Sequence, residues 1–477
     1  MDSNKRLHWT LGALLVGLFL SSLDQTIVST ALPTIVQKIG GLEHISWVFT
    51  AYMLTSTSVM PIAGKLSDMY GRKTFYLSGL VVFLIGSLLC GLSQSMTQLI
   101  VFRGLQGIGG GMMAANTFAL LFSLMPVGKV ARVQSLFMSV LAMSSILGPS
   151  IGSFITSQWD WRWNFFINAP LGIIAIIIIS FAMKEKKPES SIRLKIDYLG
   201  AALLVTTTGS VLLALKMGGI NYAWRSWPIL ELFALGAAAL IAFLFVERRA
   251  AEPILPLGMF YNRTVAGTAG VTFMQGVIMF GALLYIPLFV QGGIGGSVVD
   301  AGNTVTPMMA AVMAGATMSS FMIRRFSWRT CALLSMLLAG TGLYIITHLP
   351  LEVNKWTIRS DMALIGLGIG IMMPIAQMAI TTAVDPRYRG VANSTVTFTR
   401  NIGGVFGASL MAVIVNHHLA SSIEAREQTK LADAIHLGFW FLVAAALVGI
   451  IIASLMGRAR YVNQPIPPQN ETVSTIK

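Results

Sequence analysis

Charge is what this sequence has least of. Asp and Glu together number 19 in 477 residues, and all charged side chains make up 11%. A soluble globular domain carries about 25%, so the deficit excludes a soluble enzyme. Cysteine is nearly missing. Cys90 and Cys331 both fall inside apolar runs, which leaves no disulfide framework and no thiolate metal site. The adjacent pair His417-His418 has no other clustered ligand, so no metal centre is expected there. A membrane-integral enzyme would need a clustered nucleophile, a His pair or a metal site at membrane depth, and none is present. No small-residue cleavage site follows Lys5, Arg6 and the first apolar run. That run therefore reads as a retained span and not as a signal peptide.

What is there is apolar sequence: 55% hydrophobic residues and a mean hydropathy of +0.73. Most apolar runs exceed the ~18 residues that a helix needs to cross a bilayer. The expected fold class is an all-α polytopic membrane protein with fourteen spans. They fall near 9–32, 47–66, 75–93, 98–124, 131–156, 164–183, 197–216, 228–247, 264–290, 303–322, 331–349, 361–383, 391–415 and 436–456. A formal net charge of +14 would suggest nucleic acid on a soluble chain. Here the basic residues lie in loops, and about 23 of them fall on the side that holds both termini. That side is expected to be cytoplasmic, in a cell membrane, with no nucleic-acid partner. Trp47, Trp159, Trp161, Trp163, Trp227 and Trp328 stand at span ends, as in an interfacial belt.

The chain repeats itself. Gly107-Ile-Gly-Gly-Gly-Met-Met113 recurs as Gly366-Leu-Gly-Ile-Gly-Ile-Met372, a step of 259 positions (366 − 107) that also takes Ser135 to Ser394 and Gly148 to Gly407. Two six-helix halves need an offset of about 200 residues. The surplus of roughly 60 fits two extra helices between the halves. The expected organisation is a first six-helix bundle over 1–190, two inserted helices over 191–255, a second bundle over 256–460 and a cytoplasmic tail over 461–477. The inserted pair reads as a spacer.

Pro61 to Lys73 is a charged hairpin between two spans. Gly64 allows close helix approach and Gly71 a tight reversal. Asp68, Arg72 and Lys73 supply the charge. An ordinary basic loop accounts for the Lys and Arg, but not for the glycines or Asp68. Asp24 lies about halfway along the first span, where a carboxylate costs on the order of 2.5–3.5 kcal/mol. It is expected to face a watery cavity, meet a cation or take a proton; the alternative is an Asp satisfied by hydroxyls such as Thr26. Arg103, in the fourth span, cannot shed its charge and could act on Asp24 from across the bundle. In the fifth span, Gly148, Pro149 and Gly152 combine a bend with close packing.

These strings resemble a known family. Gly64, Leu66, Asp68, Gly71, Arg72 and Lys73 match the loop signature of the major facilitator superfamily. Leu23-Asp24-Gln25-Thr26-Ile27-Val28 resembles the first-span string of its drug:proton antiporters. Arg103 to Gly109 resembles a signature linked to proton transfer, and the Gly148-Pro149 region an antiporter signature. Trp161 to Gly172 resembles a string of the fourteen-helix branch, and the whole looks most like bacillus-type multidrug efflux proteins. Ser29, Ser123 and Ser153 depart from the usual Asn, acid and Gly. The resemblance implies alternating access powered by a proton gradient, with no other cofactor. Its cargo would be amphipathic small molecules, carried by a chain that works as a monomer in the lipid bilayer. Asp24 and Arg103 would couple protons, and Gly64, Asp68, Gly71, Arg72, Lys73, Gly148, Pro149 and Gly152 would gate. Polar and methionine positions in the spans suit an adaptable pocket: Gln25, Gln106, Met113, Asn116, Gln275, Met279, Met373 and Gln377. A uniporter or an importer of a metabolite on the same fold is the alternative.

Overall fold

The computed structural model describes residues 3–40, 47–124, 154–183, 197–219, 222–250, 253–290, 294, 298–348, 355–385, 388–421, 427–457 and 459, with isolated positions between 133 and 152. Among them the chain is helical, with no sheet beyond an isolated bridge between Gly218 and Tyr222. The long helices are α1 Ser3–Ile39, α2 Trp47–Tyr70, α3 Arg72–Leu92, α4 Met96–Leu124, α5 Asn168–Ala182, α6 Tyr198–Met217, α7 Trp227–Arg249, α8 Arg263–Leu288, α9 Val298–Arg325, α10 Trp328–Thr347, α11 Lys355–Thr382, α12 Arg389–Ser421 and α13 Glu427–Leu455. A helix is the element that satisfies every backbone group within one segment, as hydrocarbon demands. Eleven helices of the described residues are long and apolar enough to cross a membrane. All eleven coincide with expected spans. α2 is not among them, because Thr55 to Ser58 dilute its hydropathy. α4 also stands outside that set, and half of the expected fifth span, Pro149 included, lies outside the described residues.

Glycines set the packing. Gly107 and Gly111 on α4 press on the α2 backbone at Tyr52 and Ser56, while Gly109 presses on α3 at Gly79 and Phe83. Gly366 and Gly370 on α11 press in the same way on α9 at Met308 and Val312, and Gly368 on α10 at Ser335 and Ala339. Gly148 lies against Thr26 of α1, and Gly407 against Val277 of α8. The sequence repeat is thus a repeat of helix contacts: a small residue recurs wherever two backbones must meet.

The two helices expected as a spacer make contacts with their neighbours. α6 and α7 pack on each other, and α6 also packs on α2 and α12. Leu204, Phe243 and Ile254 form a small core with Ile62 of α2 and Phe398 of α12, and the Thr208 hydroxyl donates to Ser58 Oγ at 2.9 Å. The tryptophans divide. Trp159, Trp163 and Trp227 are exposed as a belt requires, but Trp161 and Trp328 are buried. Trp161 packs edge-on to Phe165, so core packing and not the interface fixes its place.

If these glycines hold backbones together, a single methyl group will matter there and not at a glycine that faces open space. Gly107→Ala and Gly366→Ala should each destabilise the purified protein by about 1–3 kcal/mol, the usual cost of overpacking. Gly209→Ala on α6, where nothing lies within 4 Å of an added Cβ, should be neutral or stabilising by up to about 1 kcal/mol. Thermal unfolding in detergent measures all three.

Candidate functional site

Asp24 and Arg103 meet directly. Arg103 Nη1 lies 2.5 Å from Asp24 Oδ2, and both side chains are fully buried. Asp24 Oδ1 accepts from Gln106 Nε2 at 2.9 Å and from Asn168 Nδ2 at 3.0 Å. Arg103 Nη1 also donates to Gln106 Oε1 at 2.7 Å, and its Nε to the Val48 carbonyl at 3.3 Å. Asn168 bonds Ser87 Oγ, which in turn donates to the Phe165 carbonyl. One carboxylate therefore ties α1 to α4 and α5, and through Ser87 to α3. The guanidinium stacks on Tyr52 of α2, its carbon 4.6 Å from the ring centroid.

Of the three expected circumstances for Asp24 (a watery cavity, a cation or a proton), this conformation shows the cation. A guanidinium and two amides compensate its charge instead of water. Thr26 does not satisfy it either, because the Thr26 hydroxyl donates to the carbonyls of Leu23 and Ser144. Exposure begins one residue on: Gln25 is exposed and neighbours the Tyr52 hydroxyl. Tyr52 thus separates the ion pair from the nearest open polar side chain. Arg103 keeps one spare donor, Nη2, with no partner.

A second polar cluster closes the end of the molecule that carries Arg72 and Lys73. Gly71 has φ 106°, a value that glycine adopts without strain, and it turns the chain from α2 into α3. Asp68 accepts from Arg72 Nη2 at 3.0 Å. It also accepts from the Gly390 and Val391 backbone N–H groups at 2.7 Å and 3.2 Å. Those groups open α12, so Asp68 caps a helix from the other side of the repeat, where a negative charge is favoured. Burial pushes the Asp68 carboxyl up, against the Arg72 guanidinium and the two N–H groups. The closed cluster therefore takes a proton more readily than a hydrated one. Gly64 abuts Gly390 and Ser394, Lys65 lies 5.4 Å from the Tyr388 ring centroid, and Asn393 Nδ2 donates to the Ala115 carbonyl of α4 at 3.3 Å. Lys73 Nζ bonds the Ser180 and Met183 carbonyls at 2.8 Å and 2.5 Å, where the C-terminal end of α5 attracts a cation.

The remaining expected residues scatter. Gln106 belongs to the ion-pair network, and Met113 is core. Asn116, Gln275, Met373 and Gln377 are buried, and Met279 is half-buried. Gly148 and Gly152 are buried. Sequence reasoning quoted the string around Asn168 without giving that residue a role; an amide amid apolar residues at membrane depth was the available signal. Asp361 and Glu247 are two more buried carboxylates that it passed over. Glu247 Oε1 accepts from the Leu255 N–H.

The sequence profile described as Major Facilitator Superfamily matches residues 14–408. The chain is 40% identical over 403 residues to the multidrug transporter protein MdtP of Bacillus subtilis, covering 84% of this chain and 74% of that one. It is 38% identical over 401 residues to the multidrug resistance protein 3 of the same organism, covering 84% and 78%. Among solved structures, the human organic anion transporter MFSD10 (TETRAN) superposes with a TM-score of 0.62 at 14% identity, over 94% of this chain and 99% of that one; this likeness concerns the fold alone.

Removing one half of a buried ion pair strands the other. Asp24→Asn and Arg103→Gln should each cost about 3–5 kcal/mol of stability, and the double variant should cost clearly less than their sum. Thermal unfolding of the purified variants tests this, and strictly additive losses would show that the two groups are uncoupled.

Proposed function

The chain belongs to the major facilitator superfamily, and from that premise we propose that it is a proton-coupled antiporter that exports amphipathic small molecules. The family is one of transporters, not enzymes, and the relatives above carry multidrug names. The reading adopts fourteen spans: two six-helix bundles, the first built around α1 to α5 and the second around α8 to α13, with α6 and α7 inserted. It places both termini in the cytoplasm of a cell whose membrane the chain spans, working as a monomer.

The single observation that carries the proposal is the buried Asp24–Arg103 pair. It is the one carboxylate–guanidinium contact found with both side chains fully enclosed among the described residues. On the positive-inside rule, the cluster around Asp68 is the cytoplasmic closure, so the structure is closed to the cytoplasm. In that state a proton reaching Asp24 from outside neutralises it. Arg103, Gln106 and Asn168 then lose their shared acceptor, and the junction of α1, α3, α4 and α5 slackens. The α2–α12 closure opens, the cytoplasmic cavity takes cargo, and the proton leaves inward. Cargo binding favours the deprotonated, paired state again. Asp68 acts in the gate: its capping of α12 exists only when the halves meet.

In everted vesicles, Asp24→Asn should abolish efflux driven by a proton gradient while the purified variant still binds drug. Wild-type protein in detergent should release protons when drug is added, and Asp24→Asn should not. Drug binding without proton release would point to a uniporter. Asp68→Ala should slow transport more than it weakens drug binding, and the reverse order would remove Asp68 from the gate.

A further inference from the structure

Polar groups buried in a protein find partners, so a cluster of buried polar atoms without partners marks a place built for something else. Such atoms line one face of α12, which meets α4 at Asn393 and whose backbone meets α8 at Arg400. Asn393 reaches α4 through its amide N–H, leaving Oδ1 without a partner. Beside it on α4, Asn116 Nδ2 bonds the Met112 carbonyl and Oδ1 is unpartnered. Thr397 and Arg400 follow Asn393 at one and two turns, on the same face of α12. The Thr397 hydroxyl and Arg400 Nη1 are both enclosed without a hydrogen bond.

Arg400 is the decisive member. Its residue is 6% exposed, and no acid pairs with it among the described residues. A guanidinium cannot escape its charge by losing a proton. Arg103, also buried, is met by Asp24; among the described residues no acid meets Arg400, and its Nη1 has no partner. One turn beyond Arg400 on the same face, Gly404 lies under the Phe280 ring, and Phe273 packs on Phe406 with ring centroids 5.8 Å apart. A cation and a hydroxyl thus sit next to an aromatic wall.

We infer that Arg400 and Thr397 form the head-group subsite of the export cavity, and that they select amphipathic cargo bearing a single carboxylate or sulfonate. The anion accepts hydrogen bonds from the guanidinium and the hydroxyl, which are stronger for being charge-assisted. Its apolar body lies along Phe280. Cationic cargo is repelled at this position. Asn116 and Asn393 offer carbonyl oxygens to an O–H or N–H next to the anionic group. The inference rests on the export reading above, but its test is equilibrium binding and needs no proton coupling.

The probes are anilinonaphthalene sulfonate and its uncharged parent phenylnaphthylamine, which share one apolar skeleton. Calorimetric titration into full-length protein in lipid nanodiscs, with empty discs subtracted, gives the ratio of the two affinities. Wild-type protein should bind the sulfonate about ten-fold or more tightly than the parent, a difference that one ion pair in an enclosed site supplies. Arg400→Gln should bring the ratio close to one, and Arg400→Lys should keep part of it. Thr397→Asp supplies an internal carboxylate one turn from the guanidinium. It should also erase the preference, and it decides the matter if Arg400→Gln does not fold. A wild-type ratio near one, or a ratio that survives both substitutions, overturns the anion subsite alone. Wild-type protein that binds neither probe overturns the cavity as well.

Discussion

Two opposite charges held out of water constrain everything else in this molecule. The Asp24 carboxylate and the Arg103 guanidinium attract each other strongly because no solvent screens them, yet neither would tolerate the site without its partner. Gln106 and Asn168 complete the shell by donating to the carboxylate. Four helices therefore take their mutual positions from the ionisation state of one side chain. A buried pair of this kind adds little stability over a well-packed apolar alternative. What it adds is connection: Arg103, Gln106 and Asn168 share one acceptor residue.

The two kinds of helix contact differ in how they can move. Within each repeat, glycines let backbones touch, at Gly107 and Gly111 on one side and at Gly366 and Gly370 on the other. Contacts that close cannot slide without collision. Between the repeats, Gly64 of α2 also lies tight against Gly390 and Ser394 of α12, and the side-chain bonds that cross to backbone join Asp68 to α12 and Asn393 to α4. Each is worth about 1 kcal/mol net when water stands ready to replace it, somewhat more with a charged partner.

Much of this was legible in the sequence, because hydrocarbon leaves a chain few options. Eleven helices stand where apolar length placed them, and the offset between the glycine strings became an offset between contacts. The hairpin was readable as well, since only Gly71 of its residues takes a positive φ. Distance across the bundle was not. Asp24 and Arg103 are 79 positions apart, and nothing in either string says whether water or an ion pair meets the charge. Asn168 was hidden for a related reason: a lone amide in an apolar run reads as packing until its acceptor is known. The pocket residues were harder still. Gln106 and Met113 have the composition of a cargo surface but are packed among α1, α3 and α4, because side-chain direction depends on helix rotation that a polar-position count does not contain. Composition shows no chemistry in α6 and α7, and it could not show that α6 packs on α2 and α12.

That position has a consequence for how oily molecules arrive. α6 lies over the line where α2 meets α12, with Leu204 against Ile62 and Phe398. A compound dissolved in the neighbouring leaflet meets a wall of two helices there and not a gap. If, as proposed, that line parts during export, the doorway on this flank would stay screened from lipid, and entry from the bilayer would be left to the opposite flank. A pair of helices with no reactive group would in this way make a two-sided vestibule one-sided.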